Sequence, residues 1–350
     1  MRWKVEQDER SLREQFQYPD MAFPFCVWPD IYNLFLNRMV DAHWHNELEY
    51  SYVVSGFLDY YINDTYLRLQ PGDCVFVNSN MLHTIRLPDD CDNAIAFTAF
   101  FPTTLVTSDT SSTLYTKYLQ SITNTQLEGF KISSDHPRGL EMATLIIELL
   151  KIYFPPPLFL SSTLDMSTKN YFQQLVDNHL DNLVLATNNQ VSQDIIDQLK
   201  KNTEKGPASG FELECMIRVI RILVVTIRHI EENKSDLLWR AGSFAPIERA
   251  REILAYMYAH YHEKITVEDI SKHVAISRSE CFRCFKRVTG KKPVEYLNDY
   301  RLLKAAQLIR ETEKSIEEIS SICGFASASF FGKVFKEKYG KTPMQFRRPR

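Results

Sequence analysis

Between residues 23 and 101 the apolar positions come in short runs rich in β-branched and aromatic residues: Leu48–Val54, Leu58–Ile62, Tyr66–Leu69, Cys74–Val77 and Ile95–Phe101. Turn residues separate them at Ser55-Gly56, Asn63-Asp64, Pro71-Gly72-Asp73 and Pro88-Asp89-Asp90. Short strands at such spacing predict a sandwich or small barrel. After about residue 130 the pattern turns helical. Leu140–Tyr153 reads as a helix stopped by Pro155-Pro156-Pro157, with further helices over Tyr171–Leu183 and Val191–Lys200 and a loop over Asn202–Gly210. Phe211–Glu232 carries Leu213, Ile217, Ile220, Val224 and Ile227 at spacings of four, three, four and three, which makes one apolar seam. That seam serves either packing within its own domain or a dimer contact. Ser235–Pro246 reads as a linker, and from Ile247 the chain is helical to its end.

This last helical part says the same thing twice. At an offset of fifty, Ser277, Ser279, Phe285, Lys286, Gly290, Lys291 and Pro293 recur as Ser327, Ser329, Phe335, Lys336, Gly340, Lys341 and Pro343. Arg283 and Lys333 keep a positive charge at the equivalent place. Upstream the offset falls to forty-nine, so Val267–Ser271 lies against Ile316–Ser320 and a turn absorbs the extra residue. Each copy assembles as helix–turn–helix. Thr266 is the expected N-cap of a short scaffold helix, and Ser277 and Ser327 cap the helices that follow. Solenoid arrays usually need three or more stacked copies, so two copies favour paired DNA-reading units. They are expected over about 266–287 and 315–338, joined by a helix opening at Pro293.

Charge supports that division. Of 41 Lys+Arg and 44 Asp+Glu, residues 246–350 hold 21 and 13, a balance of +8, which leaves 20 against 31, or −11, for the first 245. A basic module joined to an acidic one fits a polyanion-binding domain carried by something else. In the second helix of each unit, Arg283 and Lys333 are placed to reach base edges, and Lys286, Lys292, Lys336 and Lys341 to reach phosphates. Ser279, Glu280 and Phe282 in one copy, and Ala328 and Ser329 in the other, complete the expected reading faces, with the caps Ser277 and Ser327 at their ends. Seven scattered cysteines suit a reducing cytosol, and the opening residues lack an apolar signal core. Arg218, Arg221 and Arg228 keep the greasiest helix out of a bilayer.

The run Gly324-Phe325-Ala326-Ser327-x-Ser329-Phe330-Phe331-x-Lys333-x-Phe335-Lys336, followed by Gly340-Lys341-Thr342-Pro343-x-x-Phe346-Arg347, resembles the DNA-binding domain of AraC/XylS-type transcription regulators. The first unit agrees through Ser277-x-Ser279 and Arg283-x-Phe285-Lys286. The resemblance covers 247–348 and implies binding to promoter or operator DNA, with RNA polymerase as a further partner. Cys281, Phe282 and Gly332 depart from the family's usual residues.

In the β region, His43-x-His45-x-x-x-Glu49 and a distant His83 are a spacing with chemistry in it. Residues two apart on a strand share a face, and two or three imidazoles with a carboxylate bind Fe, Mn, Ni or Zn. The segment resembles a cupin barrel, although Asn37, Asn78 and Asn80 replace flanking Gly or Pro positions of metal-binding cupins. The resemblance implies a sensor in which His43, His45, Glu49 and His83 contact an organic effector, and Trp44 and Tyr52 supply aromatic surface that can stack on a sugar or another small ligand; whether the site takes a metal stays open, and no cofactor is assigned.

The expected fold is multidomain α+β. A cupin-like effector-sensing barrel covers 1–125, a helical linker or dimerisation region 126–240, and an all-α tandem helix–turn–helix domain 247–348. The expected protein is a cytoplasmic, non-enzymatic, homodimeric regulator, with Leu213, Ile217, Ile220, Val224 and Ile227 as the dimer contact. A cupin metalloenzyme fused to a DNA-binding domain, and an effector-independent DNA-binding protein, are the rival readings.

Overall fold

The computed structural model describes residues 5–7, 12–16, 21–32, 38–63, 65–123, 127–152, 209–234 and 244–347, with a few isolated positions between them. The expected helices Tyr171–Leu183 and Val191–Lys200 lie outside the described residues, as does most of the expected linker.

Strands β1 (Val5–Gln7) and β2 (Glu14–Phe16) form a small antiparallel pair. They precede β3 (Cys26–Ile31), β4 (Met39–His43), β5 (Leu48–Ser55), β6 (Leu58–Ile62), β7 (Thr65–Leu69), β8 (Cys74–Val77), β9 (His83–Arg86), β10 (Ile95–Phe101) and β11 (Gly129–Ile132). One sheet runs β11-β8-β5-β10-β3 and the other β4-β9-β6-β7, every pair antiparallel. Alternation sorts the strand residues. Leu48 and Tyr50 on β5 pack into a helix-covered core, whereas Val53 joins Leu58, Tyr60, Ile62, Val75, Val77 and Ile85 in another apolar cluster. Glu49 and Ser51 share the parity of Val53.

Two expected boundaries move. Strand β11 pairs with β8, so the barrel sheet continues past residue 125. Helices α1 (Pro137–Ile152) and α2 (Phe211–Glu232) bury Ile146, Leu149, Cys215, Val219 and Ile222 in the same core as Leu48, Tyr50 and Phe76. These helices are the outer layer of the barrel domain, because that sheet face is apolar and needs covering.

The C-terminal part comprises α3 (Phe244–His260), α4 (Val267–His273), α5 (Arg278–Thr289), α6 (Pro293–Glu311), α7 (Ile316–Ile322), α8 (Ala328–Tyr339) and α9 (Pro343–Arg347). Thr266–Asp269 and Ser315–Glu318 are full capping boxes on α4 and α7. Ser277 accepts from the Glu280 N–H and Ser327 from the Phe330 N–H, both at 3.2 Å. Gly290 and Gly340 end α5 and α8 in the left-handed conformation. Each unit has its own core: Cys281, Cys284, Phe285 and Val288 in the first, Phe331 and Phe335 in the second.

The first unit does not stand alone. Its core is continuous with Leu12, Met39, Ala42 and Leu82 of the barrel domain. The β4–β9 pairing shifts register between Val40 and His43, so Asp41 and Ala42 bulge from the ladder. Buried there, the Ala42 N–H donates to the Tyr296 hydroxyl at 3.1 Å, which lies 2.6 Å from the Tyr258 hydroxyl. On the same junction Arg251 donates to the Asn80 carbonyl at 2.8 Å and lies over the Trp44 ring.

Candidate DNA interface and sensor site

The two reading helices present similar chemistry on unequal surroundings. On α5 the Arg283 side chain is 72% exposed and paired with Glu280, whose carboxylate also meets Arg249 at 3.2 Å. Lys286 and Arg287 are exposed one turn further on, and Lys292 opens the next helix. Arg287 went unnoticed in the sequence, although its position four residues after Arg283 puts it on that same basic side. Phe282 is only half-exposed: it packs at the edge of the first unit's core beneath the Arg278 guanidinium. On α8, Ser329, Lys333 and Lys336 are exposed, with Ala328, Phe330 and Lys341 beside them. Ser277 and Ser327 serve as helix caps, and Ser279 lies 3.0 Å from Ser277.

Lys291 and Lys341, equivalent in the repeat, part company. Lys341 is exposed, whereas Lys291 is buried against Asp299 and lies 3.9 Å from the Met39 sulfur. Asp299 also receives Lys338 of α8 at 2.9 Å. Burial works to raise its pKa, but the two lysines together hold it below the ordinary value. Beside them Asp41 is half-buried, and its carboxyl is pushed up to about 6, burial outweighing the nearby Lys291 charge.

Inside the barrel, His43, His45, Glu49 and His83 converge, all buried, and their ligand atoms lie within 4.8 Å of one another. His43 and His83 face each other across β4 and β9, with ring centroids 4.1 Å apart. His45 follows from the β4–β5 connection, and Glu49 comes from β5. The Nδ1 atoms of His43, His45 and His83 lie 2.8, 3.1 and 2.9 Å from the carbonyl oxygens of Asp41, Glu47 and Met81. A carbonyl only accepts, so each Nδ1 carries a proton, and a ring without a second proton offers its Nε2 lone pair. Two of these Nε2 atoms stand 3.3 and 3.1 Å from the Glu49 carboxylate. Lone pairs facing an anion need a positive charge between them, from ring protons or from a cation. The donor set fits a divalent transition metal, and the three carbonyls are the outer partners that such ligands use. When bound, the ion supplies that charge.

Around the cluster the polar groups are already paired. Ser51 bridges Glu49 at 3.3 Å and Thr98 at 3.0 Å, Tyr60 donates to Ser51 at 3.0 Å, and Thr98 donates to Asp30 at 2.7 Å. Glu14 of the N-terminal arm comes within 3.5 Å of His43, and Phe16 packs edge-on against His45. The other two residues expected to face an effector lie elsewhere. Trp44 packs at the junction with the first unit, and Tyr52 packs with the helix-covered face of β5. Both have the opposite strand parity to the ligands, which spacing on its own exposes only once the strand faces are known. The expected dimer seam divides as well. Leu213, Ile217 and Ile220 are 70%, 55% and 47% exposed, but Ile227 packs against the barrel core.

A small β-barrel joined to two capped basic reading helices defines a DNA-binding regulator. Residues 270–349 match the Helix-turn-helix domain family and residues 37–98 the Cupin domain family. An uncharacterized HTH-type transcriptional regulator of Bacillus subtilis, YdeC, is 24% identical over 97% of both chains. The regulator GbdR of Pseudomonas aeruginosa is 34% identical over 39% of this chain and 37% of its own length. Among solved structures, an AraC-type DNA-binding regulator from Chromobacterium violaceum is 33% identical, covering 29% of this chain and 89% of that one at a TM-score of 0.28. The DNA-binding domain of AdpA in complex with a target DNA is 29% identical, covering 28% and 89% at 0.28. The chain is an AraC-type DNA-binding regulator with a cupin-like domain.

Proposed function

We propose that the chain regulates transcription by binding specific double-stranded DNA through α5 and α8, and that a ligand held at His43, His45, Glu49 and His83 controls this binding. The observation that carries the sensor half is the gathering of three imidazoles and one carboxylate, all buried, with their ligand atoms within 4.8 Å of one another. That set calls for a cation, so a divalent transition metal is the effector it fits best. Arg283 and Lys333 read bases, and Lys286, Lys292, Lys336 and Lys341 hold phosphates. The exposed stripe Leu213, Ile217 and Ile220 supports a homodimer through α2. The regulator works in the cytoplasm on promoter DNA, with RNA polymerase as a partner and without catalysis of its own. Among the described residues no helix is long and apolar enough to cross a membrane, and the seven buried cysteines are free thiols.

The test is elemental analysis of full-length protein purified under metal-replete conditions, beside His83→Ala. We expect a stoichiometric transition metal in the parent, its loss in the variant, and DNA affinity that differs between loaded and chelator-treated parent. A metal-free parent, with thermal stabilisation by an organic metabolite instead, replaces the cation with that effector.

A further inference from the structure

The barrel touches the first reading unit at the part of the molecule that DNA needs. Tyr61, on β6, packs against the end of α5 so closely that a Cβ added at Gly290 would lie 2.4 Å from its ring. Tyr61 and Tyr66 then form one wall of a cleft whose other wall is Arg283, Lys286 and Arg287. Tyr66 donates to the buried carboxylate of Asp59 at 2.9 Å, which keeps an acid behind that aromatic wall. A reading helix lying in a major groove has phosphate walls on both flanks, about 12 Å apart. The wall that Arg287 and Lys286 would meet has to stand where the β6–β7 hairpin stands.

We propose that the cupin barrel is an intramolecular competitor of DNA for the first reading unit: α5 enters a groove only after the β6–β7 hairpin has left it. The docked state has real holding power. Met39, Ala42 and Leu82 are part of the first unit's core, and the Ala42 and Asn80 backbone groups bond to Tyr296 and Arg251. Charge favours it too, since the first 245 residues sum to −11 and residues 246–350 to +8. Among the described residues the reading face of the second unit is open. Its α8 packs on α7 and α9, with the Lys333 side chain 74% and Phe330 46% exposed. DNA therefore engages the second unit first, and the first unit completes the site when the junction opens.

The experiment compares the parent with Tyr61→Ala/Tyr66→Ala, both full length. Each protein enriches binders from a random duplex library of about 40 bp, long enough for two half-sites one helical turn apart. Affinity for the enriched duplexes is then read by fluorescence anisotropy. We expect the variant to select a motif with a second half-site and to bind it at least about tenfold more tightly than the parent does. Arg251→Met loosens the same junction away from α5 and is expected to move affinity in the same direction, which keeps the test decisive should the double variant fold poorly. An unchanged motif with affinities within about twofold for both variants overturns the proposal. So does weaker binding by folded Tyr61→Ala/Tyr66→Ala, which would make the hairpin a DNA contact.

Discussion

Tyr296→Phe removes one oxygen from the centre of the barrel–reader junction and leaves its ring in place against Phe285, 5.4 Å away between centroids. Two bonds go with that oxygen: the one accepted from the Ala42 N–H at 3.1 Å and the one shared with Tyr258 at 2.6 Å. The Ala42 N–H then loses this buried acceptor, at a cost of ~1–3 kcal/mol. The exposed alternative, an opened junction in which water takes the N–H, becomes favoured by about that amount. A shift of ~2 kcal/mol is about thirtyfold in the opening equilibrium. Hydrogen exchange followed by mass spectrometry on a peptide spanning Met39–His43 reads this locally, without assuming that a two-domain chain unfolds in one step. We expect exchange at Ala42 to quicken by roughly ten- to a hundredfold while peptides from β5 and β10 keep their protection. Unchanged exchange at Ala42 would refute the reasoning, because it would mean that this bond does not hold the junction shut.

Other perturbations test separate parts of the molecule. Arg283→Ala and Lys333→Ala are each expected to weaken specific DNA binding by ~1–3 kcal/mol and to relax sequence preference, measured by anisotropy on specific and random duplexes; equal losses on both would reassign them to phosphate contact. Gly324→Ala forces a side chain into a left-handed turn at φ +73°, with its Cβ 2.4 Å from the Tyr261 carbonyl oxygen. Melting should fall by at least ~1–2 kcal/mol from the backbone alone, and an unchanged melting curve would show that the turn relaxes freely. His229 stacks on Phe130, and burial, with His136 and Arg138 nearby and Glu232 opposing them, pulls its pKa from 6.5 to about 4. The native state thus binds fewer protons than the unfolded chain in that window, so stability falls as pH drops through it. His229→Phe should flatten this loss in pH-dependent thermal melts, and an identical pH profile would clear His229 of the role.

Periodicity carried most of the fold. The short β-branched and aromatic runs found β5, β6, β7, β8 and β10, and the doubled pattern found α4, α5, α7 and α8 to within a few residues. What periodicity lacks is information on which layer covers which face. The helices after the barrel read as a separate region because their apolar sides point at a sheet far back in the chain. Only the joint core of Cys215, Val219 and Ile222 with Tyr50 and Phe76 shows them to be its outer layer. The sensor site divides in the same way. His43, His45, Glu49 and His83 were legible as a donor set from spacing and residue type. Trp44 and Tyr52 were grouped with them as aromatic surface for stacking on a ligand, and strand alternation turns both away.

The repeat teaches the opposite lesson, since sequence identity there conceals an inequality. Gly290-Lys291-Lys292-Pro293 and Gly340-Lys341-Thr342-Pro343 are the same device in the same local structure, a left-handed cap followed by a helix start. Gly340 would accept a Cβ into open space, whereas Gly290 is crowded by the Tyr61 ring. Lys341 meets solvent, and Lys291 is closed in by Asp299 and Met39. Neither difference comes from the repeat itself. Among the described residues the barrel surface is what sets the first copy apart, with Tyr61 against Gly290 and Met39 against Lys291, while Asp299 of the joining helix completes the enclosure of Lys291. A duplicated DNA reader is symmetric in what it can bind. Packing against the sensor makes it asymmetric in what it can bind first, and the β4 strand that supplies His43 to the donor cluster also supplies Met39 and Ala42 to that packing.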